Sequence, residues 1–469
     1  MATAARSSPS WHVLLDLAGR RGALHQRLTS ALREAIRDGR LPLASALPPS
    51  RALATDLGVS RWTVARSYTQ LAAEGYLEAR TGSATLVRWA PDSAQRTRTH
   101  QLPPAERTPP RYDMTPGRPD LRAFPAARWV EAIRQAAATA PPDQLGYPGP
   151  DGSAVLRGVL AEYLDRARGA AAAASDITIC LRAAEAMTRV CRALIADGVR
   201  SVAVEDPGWR PLGEIAAAAG LGVVPLPVDD QGLQVAHLRA HPEVGAVCVA
   251  ASHQFPVGTV LSPGRRAALL GWAKDTGGLI VEDDYDAEFR YDRPAVSTLQ
   301  GMAPGRVFLL GSVSKTLAPA VGIGWVASPP RLTSALRAAT PFPLAPPTVH
   351  QLALAGLIES GAYDRHLRAA RRRYRDRRRA VLDALASQLP GCQVTGAAAG
   401  LHVLLWLPGG TDAGQVAARA AQRGLLVTDL DRYRAEPDPD HPGLVLGYGN
   451  LADSVATEAI SVLAGVIRS

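Results

Sequence analysis

Apolar positions in this chain follow two periods, and the change from one to the other divides it. Over residues 23–41, Leu24, Leu28, Leu32 and Ile36 recur at helical spacing until Gly39 ends the run. The next apolar positions predict two short helices. One is capped by Ser50 and runs through Leu57; after a turn at Gly58 the other is capped by Ser60 and runs to about Ala73. Leu53, Leu57, Val59, Val64 and Leu71 form their packing seam, leaving Arg61, Thr63, Arg66 and Ser67 near the exposed start of the second helix. Gly75 ends that helix, and Tyr76 to Arg88 reads as a hairpin turning at Thr81, Gly82 and Ser83. Residues 90–112, rich in Pro, Arg and Thr, have no apolar period and read as a solvated linker.

Beyond the linker, helices alternate with short apolar strands. Helices are expected over Ala126–Ala138, Ser153–Arg168, Ala184–Ala196, Pro211–Ala219, Pro263–Asp275 and Gly361–Gln388. Strands are expected over Ile177–Cys180, Ser201–Val204, Gly222–Leu226, Ala246–Val249, Leu279–Val281, Val307–Leu310 and Gly324–Ala327. The alternation predicts an α/β fold with a mostly parallel sheet covered on both faces. A smaller C-terminal α/β unit, about 347–469, has strand candidates at His402–Leu407, Leu425–Thr428 and Leu444–Tyr448. The expected division is a head at 1–88, a linker at 89–112 and a body at 113–469. Nine arginines between Arg365 and Arg379 read as a solvated helical face.

Composition narrows the function classes. The 469 residues are 47% hydrophobic, enough for two or three cores. No apolar run of spanning length survives without a charge, Pro or Gly, and the N-terminus lacks an apolar signal core, so a cytoplasmic chain without a membrane partner is expected. Cys180, Cys191, Cys248 and Cys392 are scattered, with no metal spacing, and read as reduced. The net charge of +9 suits a polyanionic partner. The start of a second helix in such a pair is where base edges are met, and Arg80 and Arg88 flank a wing suited to phosphates.

Candidate chemistry concentrates between Leu279 and Val326. One apolar strand ends in Asp283, Asp284 and Tyr285, and another ends in Ser312, Ser314 and Lys315; ligands of open α/β sheets sit outside such strand ends. The chain has fifty arginines but only two lysines, Lys274 and Lys315. Lysine can form a Schiff base and arginine cannot, so a lysine retained there points to a carbonyl cofactor, with Asp283 opposite its ring nitrogen.

Residues 20–88, with LPPSRALATDLGVSRWTVARSYTQLAAEGYL and TGSATLV, resemble the winged helix-turn-helix head of GntR-type regulators. The resemblance implies that Arg51, Ser60, Arg61, Thr63, Arg66, Arg80 and Gly82 face double-stranded DNA. The body, through VEDPGWRP, ASHQFPVG, VEDDYDAEFRYD, GSVSKT and GLHVLLWLP, resembles fold-type-I pyridoxal-phosphate aminotransferases. Head and body together resemble the MocR subfamily. By that resemblance Lys315 carries pyridoxal 5′-phosphate as a Schiff base, Asp283 pairs with the pyridine nitrogen, and Tyr285 hydrogen-bonds the phenolic oxygen. Trp209 stacks on the ring, Ser312 and Ser314 meet phosphate, and His253 and Gln254 lie in the loop near the phenolic oxygen. A homodimer and a small-molecule effector are implied.

Three departures bear on function. Leu181, Arg182 and Ala183 replace the family's Ser-Gly-x-Gln phosphate cradle, with Arg182 as a substitute clamp. Gly322 stands where a phosphate-binding arginine is usual. Val445 stands near the usual carboxylate-gripping arginine, a loss of roughly 1–3 kcal/mol. The expectation is a DNA-binding regulator that senses an amine, an amino acid or the cofactor itself, without efficient transamination. A working aminotransferase with a DNA-binding head, and a regulator whose body no longer holds the cofactor, stay open.

Overall fold

The computed structural model describes residues 11, 15, 17, 22–78, 84–89, 110–146, 148–292, 296–339 and 345–468. They fall in two compact units, Met1–Thr108 and Pro109–Ser469. The first contains α1 (Leu24–Arg37), β1 (Ala46–Leu47), α2 (Ser50–Asp56), α3 (Arg61–Ala73), β2 (Leu77–Glu78) and β3 (Thr85–Val87). Both strand pairs of its sheet, ordered β1-β3-β2, are antiparallel. Leu28, Leu32, Ile36, Leu53, Val64 and Leu71 are fully buried together, as the helical spacing requires. Ser60 caps α3 by accepting a hydrogen bond from the Thr63 amide at 3.1 Å. Ser50 does not cap α2. Pro49 takes the cap position and Ser50 is the first helical residue.

The second unit opens with β4 (Tyr112–Asp113), α4 (Ala126–Thr139), α5 (Ala154–Arg168), β5 (Ile177–Cys180), α6 (Ala183–Ala196) and β6 (Ser201–Asp206). It continues with α7 (Pro211–Ala218), β7 (Gly222–Asp229), β8 (Gly232–Leu233), β9 (Val244–Val249), α8 (Pro263–Thr276) and β10 (Leu279–Asp283). Then follow β11 (Val307–Ser312), β12 (Gly324–Ala327), α9 (Thr348–Glu359) and α10 (Ala362–Gln388). The last part holds β13 (Val394–Thr395), β14 (His402–Trp406), α11 (Ala413–Gln422), β15 (Leu425–Leu426), β16 (Thr428–Asp429), β17 (Gly443–Gly447) and α12 (Ala456–Ile467).

Eight strands form the large sheet in the order β5-β12-β11-β10-β9-β6-β7-β8. Pairing from β11 through β7 is parallel, whereas β12 runs antiparallel to both neighbours and β8 antiparallel to β7. One face packs Val202, Cys248, Val281 and Leu310 against Met187 and Leu194 of α6; the other packs Val247, Val249 and Ile280 against Leu269 of α8. Both faces are thus covered, which is why these strands read as continuous apolar runs. A second, antiparallel sheet, β13-β14-β17-β16, lies in the C-terminal part.

Two sequence expectations change here. Tyr112 belongs to the body rather than to a linker. It is buried in β4, which pairs with β15, and its hydroxyl donates to Glu458 at 2.8 Å. The arginine run is only partly a solvated face. Arg365, Arg368, Arg372, Arg375 and Arg379 are exposed at helical spacing, but Arg377 is buried, donating to Asp120 at 2.6 Å and to the Gly449 carbonyl at 2.6 Å. Helices α11 and α12 were absent from the sequence expectation; the alanine-rich run of α11 carries few large apolar residues to mark a period.

Candidate functional site

In the first unit, α3 presents one polar face. Arg61, Trp62, Arg66 and Thr69 are exposed, and the Arg66 guanidinium lies over the Trp62 ring at 5.0 Å. Thr63 and Ser67 do not share this face. Thr63 is buried, its hydroxyl 2.8 Å from that of Ser60, and Ser67 is buried, donating to the His25 carbonyl at 3.0 Å. A helix residue turns about 100° from the one before, so Arg61 and Thr63 lie roughly 200° apart. Thr63 therefore braces the cap, and Trp62 takes the place expected of it. Arg51 is exposed at the start of α2. Arg80 and Gly82 lie outside the described residues.

In the body, strand register assembles the second site. Asp283, the last residue of β10, is paired with Leu310, two residues before the end of β11 at Ser312. Ser312 lies beside Gly324, and Gly324 beside Cys180, so one row across three strands leads to the start of α6. Lys315 follows in the turn after β11. Its Nζ donates to the Gly117 carbonyl at 2.6 Å. Gly117 has φ +74°, and a Cβ there would stand 3.2 Å from that Nζ, so glycine suits both the turn and the close approach.

Four acids crowd the end of β10, and three are spoken for. Glu282 accepts from the amides of Leu299 and Gln300 at 3.0 and 3.1 Å. Asp284 takes a two-pronged bond from Arg168 at 2.7 and 2.8 Å. Asp286 lies 3.0 Å from Nδ1 of His253. Asp283 is buried, and among the described residues no donor is hydrogen-bonded to it. Burial first, then Asp284 and Asp286, push its carboxyl up to about 7, opposed by Lys315. Glu205, also in its field, is pushed up to about 8, mainly by burial. Burial lowers the Lys315 amine, against the pull of Asp286 and Asp283.

Around this pair the other expected residues divide. The Tyr285 hydroxyl is 3.0 Å from His253 Nδ1, and His253 Nε2 is buried without a partner. Gly400, at φ +69°, leaves room for that imidazole; a Cβ would reach within 1.9 Å of it. Gln254 is not free for a ligand. Its amide donates to the carbonyls of Pro207 and Phe255 and accepts from the Val257 amide, holding its own loop. Trp209 is half-buried and lines a cavity of about 370 Å³ with Glu205, Cys248 and Tyr433. Ser312 Oγ accepts from the Ser314 amide at 3.4 Å. Arg182 is exposed, and among the described residues its side chain makes no hydrogen bond or ion pair. Val445 is fully buried in an apolar cluster with Leu404, Leu430 and Val257.

Comparison with known proteins gives this geometry a lineage. The family model for aminotransferase class I and II matches residues 117–437, and that for bacterial regulatory proteins of the gntR family matches 24–87. The chain is 34% identical over 436 residues to the HTH-type pyridoxine biosynthesis transcriptional regulator PdxR of Corynebacterium glutamicum, covering 90% of this chain and 91% of that one. It is 32% identical over 474 residues to the probable rhizopine catabolism regulatory protein MocR of Rhizobium meliloti, covering 94% and 93%. The chain is a GntR-type transcriptional regulator of the MocR kind. Such a regulator binds DNA through its head, and its body has the fold of a pyridoxal-phosphate-binding family. An archaeal alanine:glyoxylate aminotransferase superposes with a TM-score of 0.71 at 24% identity, over 76% of this chain and 90% of that one. Among the regulator's described residues, no helix is long and apolar enough to cross a membrane.

Two predictions arise from this geometry. Arg61→Ala and Arg66→Ala are each expected to weaken binding to an operator selected from random DNA by roughly tenfold, about 1.4 kcal/mol, without changing the melting temperature. Fluorescence anisotropy checks the first effect and calorimetry the second. Asp283 sets a pH dependence. Its folded carboxyl titrates above its unfolded value, so its contribution is full below about pH 4 and lost as pH rises through about 7. The melting temperature of Asp283→Asn minus that of the cofactor-free wild type is therefore expected to grow between pH 5 and pH 8, by about 2 °C or more. A difference that stays flat over that range contradicts the assignment.

Proposed function

We propose that this regulator holds pyridoxal phosphate in its body and that an amine, an amino acid or the cofactor itself, arriving there, changes how the heads bind DNA. The carrying observation is Asp283. A buried acid without a donor, among neighbours that all have one, suits a protonated ring nitrogen, and the rare Lys315 lies within its field. Burial costs a carboxylate several kcal/mol unless a partner offsets it, so a pyridinium would stabilise Asp283 as the anion.

In this arrangement Lys315 would hold the cofactor by condensing its amine with the aldehyde, releasing water. Tyr285 and His253 would meet the phenolic oxygen, with Asp286 fixing the imidazole, and Trp209 would cover one ring face. When bound, the cofactor supplies an electrophilic carbon that primary amines can capture. Lowering of the Lys315 amine by burial keeps more of it unprotonated for exchange with an incoming amine. The apolar packing of Val445 supports sensing over transamination, because a valine at that position offers no charge to a carboxylate.

A homodimer fits this reading: two heads would read two half-sites, and an effector must favour one arrangement of the pair over another. The test is operator binding by the full chain with and without pyridoxal phosphate and a panel of amines. A shift of at least threefold for one combination, lost in Asp283→Asn, is the expected result. No shift for any combination contradicts it.

A further inference from the structure

Trp62 stands 61% exposed in the first turn of α3, yet its indole is held in place. The ring of His25, in the first turn of α1, meets it edge-on, with centroids 6.0 Å apart and planes at 70°. His25 is itself placed by the seam between the two helices. Its carbonyl accepts from the Ser67 hydroxyl of α3 at 3.0 Å and from the Thr29 hydroxyl at 2.8 Å. Over the indole lies the Arg66 guanidinium, 5.0 Å from the ring centroid. Residues four apart on a helix lie about 40° apart around its axis and one turn along, so Trp62 and Arg66 share one stripe of the exposed face. Among the described residues, the Arg66 side chain makes no hydrogen bond or ion pair. The stack uses the π face of the ring and none of the guanidinium's N–H donors. An arginine with free donors and a set position suits the O6 and N7 acceptors of a guanine, which it can meet with two parallel bonds.

We infer that Trp62 is a positioning residue for base readout: it holds Arg66 ready for one guanine in the operator's major groove. Its effect on sequence choice runs through Arg66. A free arginine side chain gives up several rotamers when it docks, and one already stacked gives up fewer. Removing the indole therefore weakens discrimination at the base pair that Arg66 reads and at no other. A purely structural role, in which the stem of the arginine only covers apolar surface, would leave base preference unmoved.

The test measures the full chain by fluorescence anisotropy on an operator selected from random DNA and on every single-base-pair variant of it. For the wild type, replacing the guanine read by Arg66 is expected to cost about tenfold in affinity. Arg66→Ala is expected to bring that cost within about twofold, which identifies the base pair, and Trp62→Ala to bring it to about threefold at the same pair. Trp62→Tyr keeps an aromatic face and is expected to stay near the wild-type preference. Trp62→Ala/Arg66→Ala is expected to match Arg66→Ala, because the indole has no route to the base without the guanidinium. Melting temperatures and the salt dependence of affinity are expected to stay at wild-type values throughout. An unchanged base preference in Trp62→Ala, a preference lost at a different base pair, or losses that add in the double variant overturns the inference. So does an Arg66→Ala variant that keeps every base preference; a salt slope lower by about one in that variant would mark a phosphate contact instead.

Discussion

Arg168→Leu is expected to destabilise the body by about 3–5 kcal/mol, the cost of leaving a buried charge without its partner. Arg168 is 2% exposed and Asp284 9%, and the guanidinium makes four hydrogen bonds. Two go to Asp284, one to Ser252 Oγ at 3.0 Å and one to the Val296 carbonyl at 3.1 Å. Removing the arginine strands Asp284 beside Glu282 and Asp283, so three acids face one another in a dry place. Arg168→Leu/Asp284→Leu removes both charges and is expected to recover most of the loss, since apolar replacement of a buried pair is often neutral. Urea denaturation followed by circular dichroism measures both. Equal losses in the single and double variants would show that packing, not charge, governs the site. The pair also has a functional consequence. Asp284 adjoins Asp283, so the bridge that fixes one positions the other.

Lys315→Ala is expected to abolish the response of operator binding to pyridoxal phosphate and amines, while operator affinity without them stays at the wild-type value. Affinity for the cofactor is expected to fall roughly a hundredfold or more, about 3 kcal/mol, because the covalent link is gone and only ring contacts remain. Lys274 offers no rescue. It lies on α8, in the last turn, away from the ends of β10 and β11. Operator titration by anisotropy, with and without ligand, separates the two effects. A variant that responds like the wild type would leave the body sensing something other than a carbonyl.

How much of this was legible in the sequence depends on the kind of contact. Strand ends were, because buried parallel strands are continuous apolar runs that stop at polar residues, and Leu279–Val281 and Val307–Leu310 both did. The scarcity of lysine singled out Lys315 before any fold was known. Contacts between distant segments were not legible. Nothing near Gly117 announces that its carbonyl meets Lys315 across 198 positions, although a glycine between prolines marks a turn. Arg168 looked like any helix-terminal arginine, yet it bonds Asp284 across 116 positions. The rotation of α3 was misread for a related reason. Thr63 is polar, and only packing against the cap and α1 shows that its side chain is inside. Gln254 likewise looked available until its amide was seen to close its own loop. Glu185, an acid in the first turn of α6, likewise bonds the Leu181 amide ahead of that helix at 3.3 Å, a contact its sequence position alone does not announce.

The central claim is that the Lys315 amine, opposite a partnerless Asp283, captures an aldehyde. Incubating the full chain with pyridoxal phosphate, reducing with borohydride and measuring peptide masses tests it directly. The expected result is one stable adduct, on the peptide bearing Lys315 and absent from that bearing Lys274. An unmodified Lys315 peptide, or equal labelling of both lysines, would contradict it.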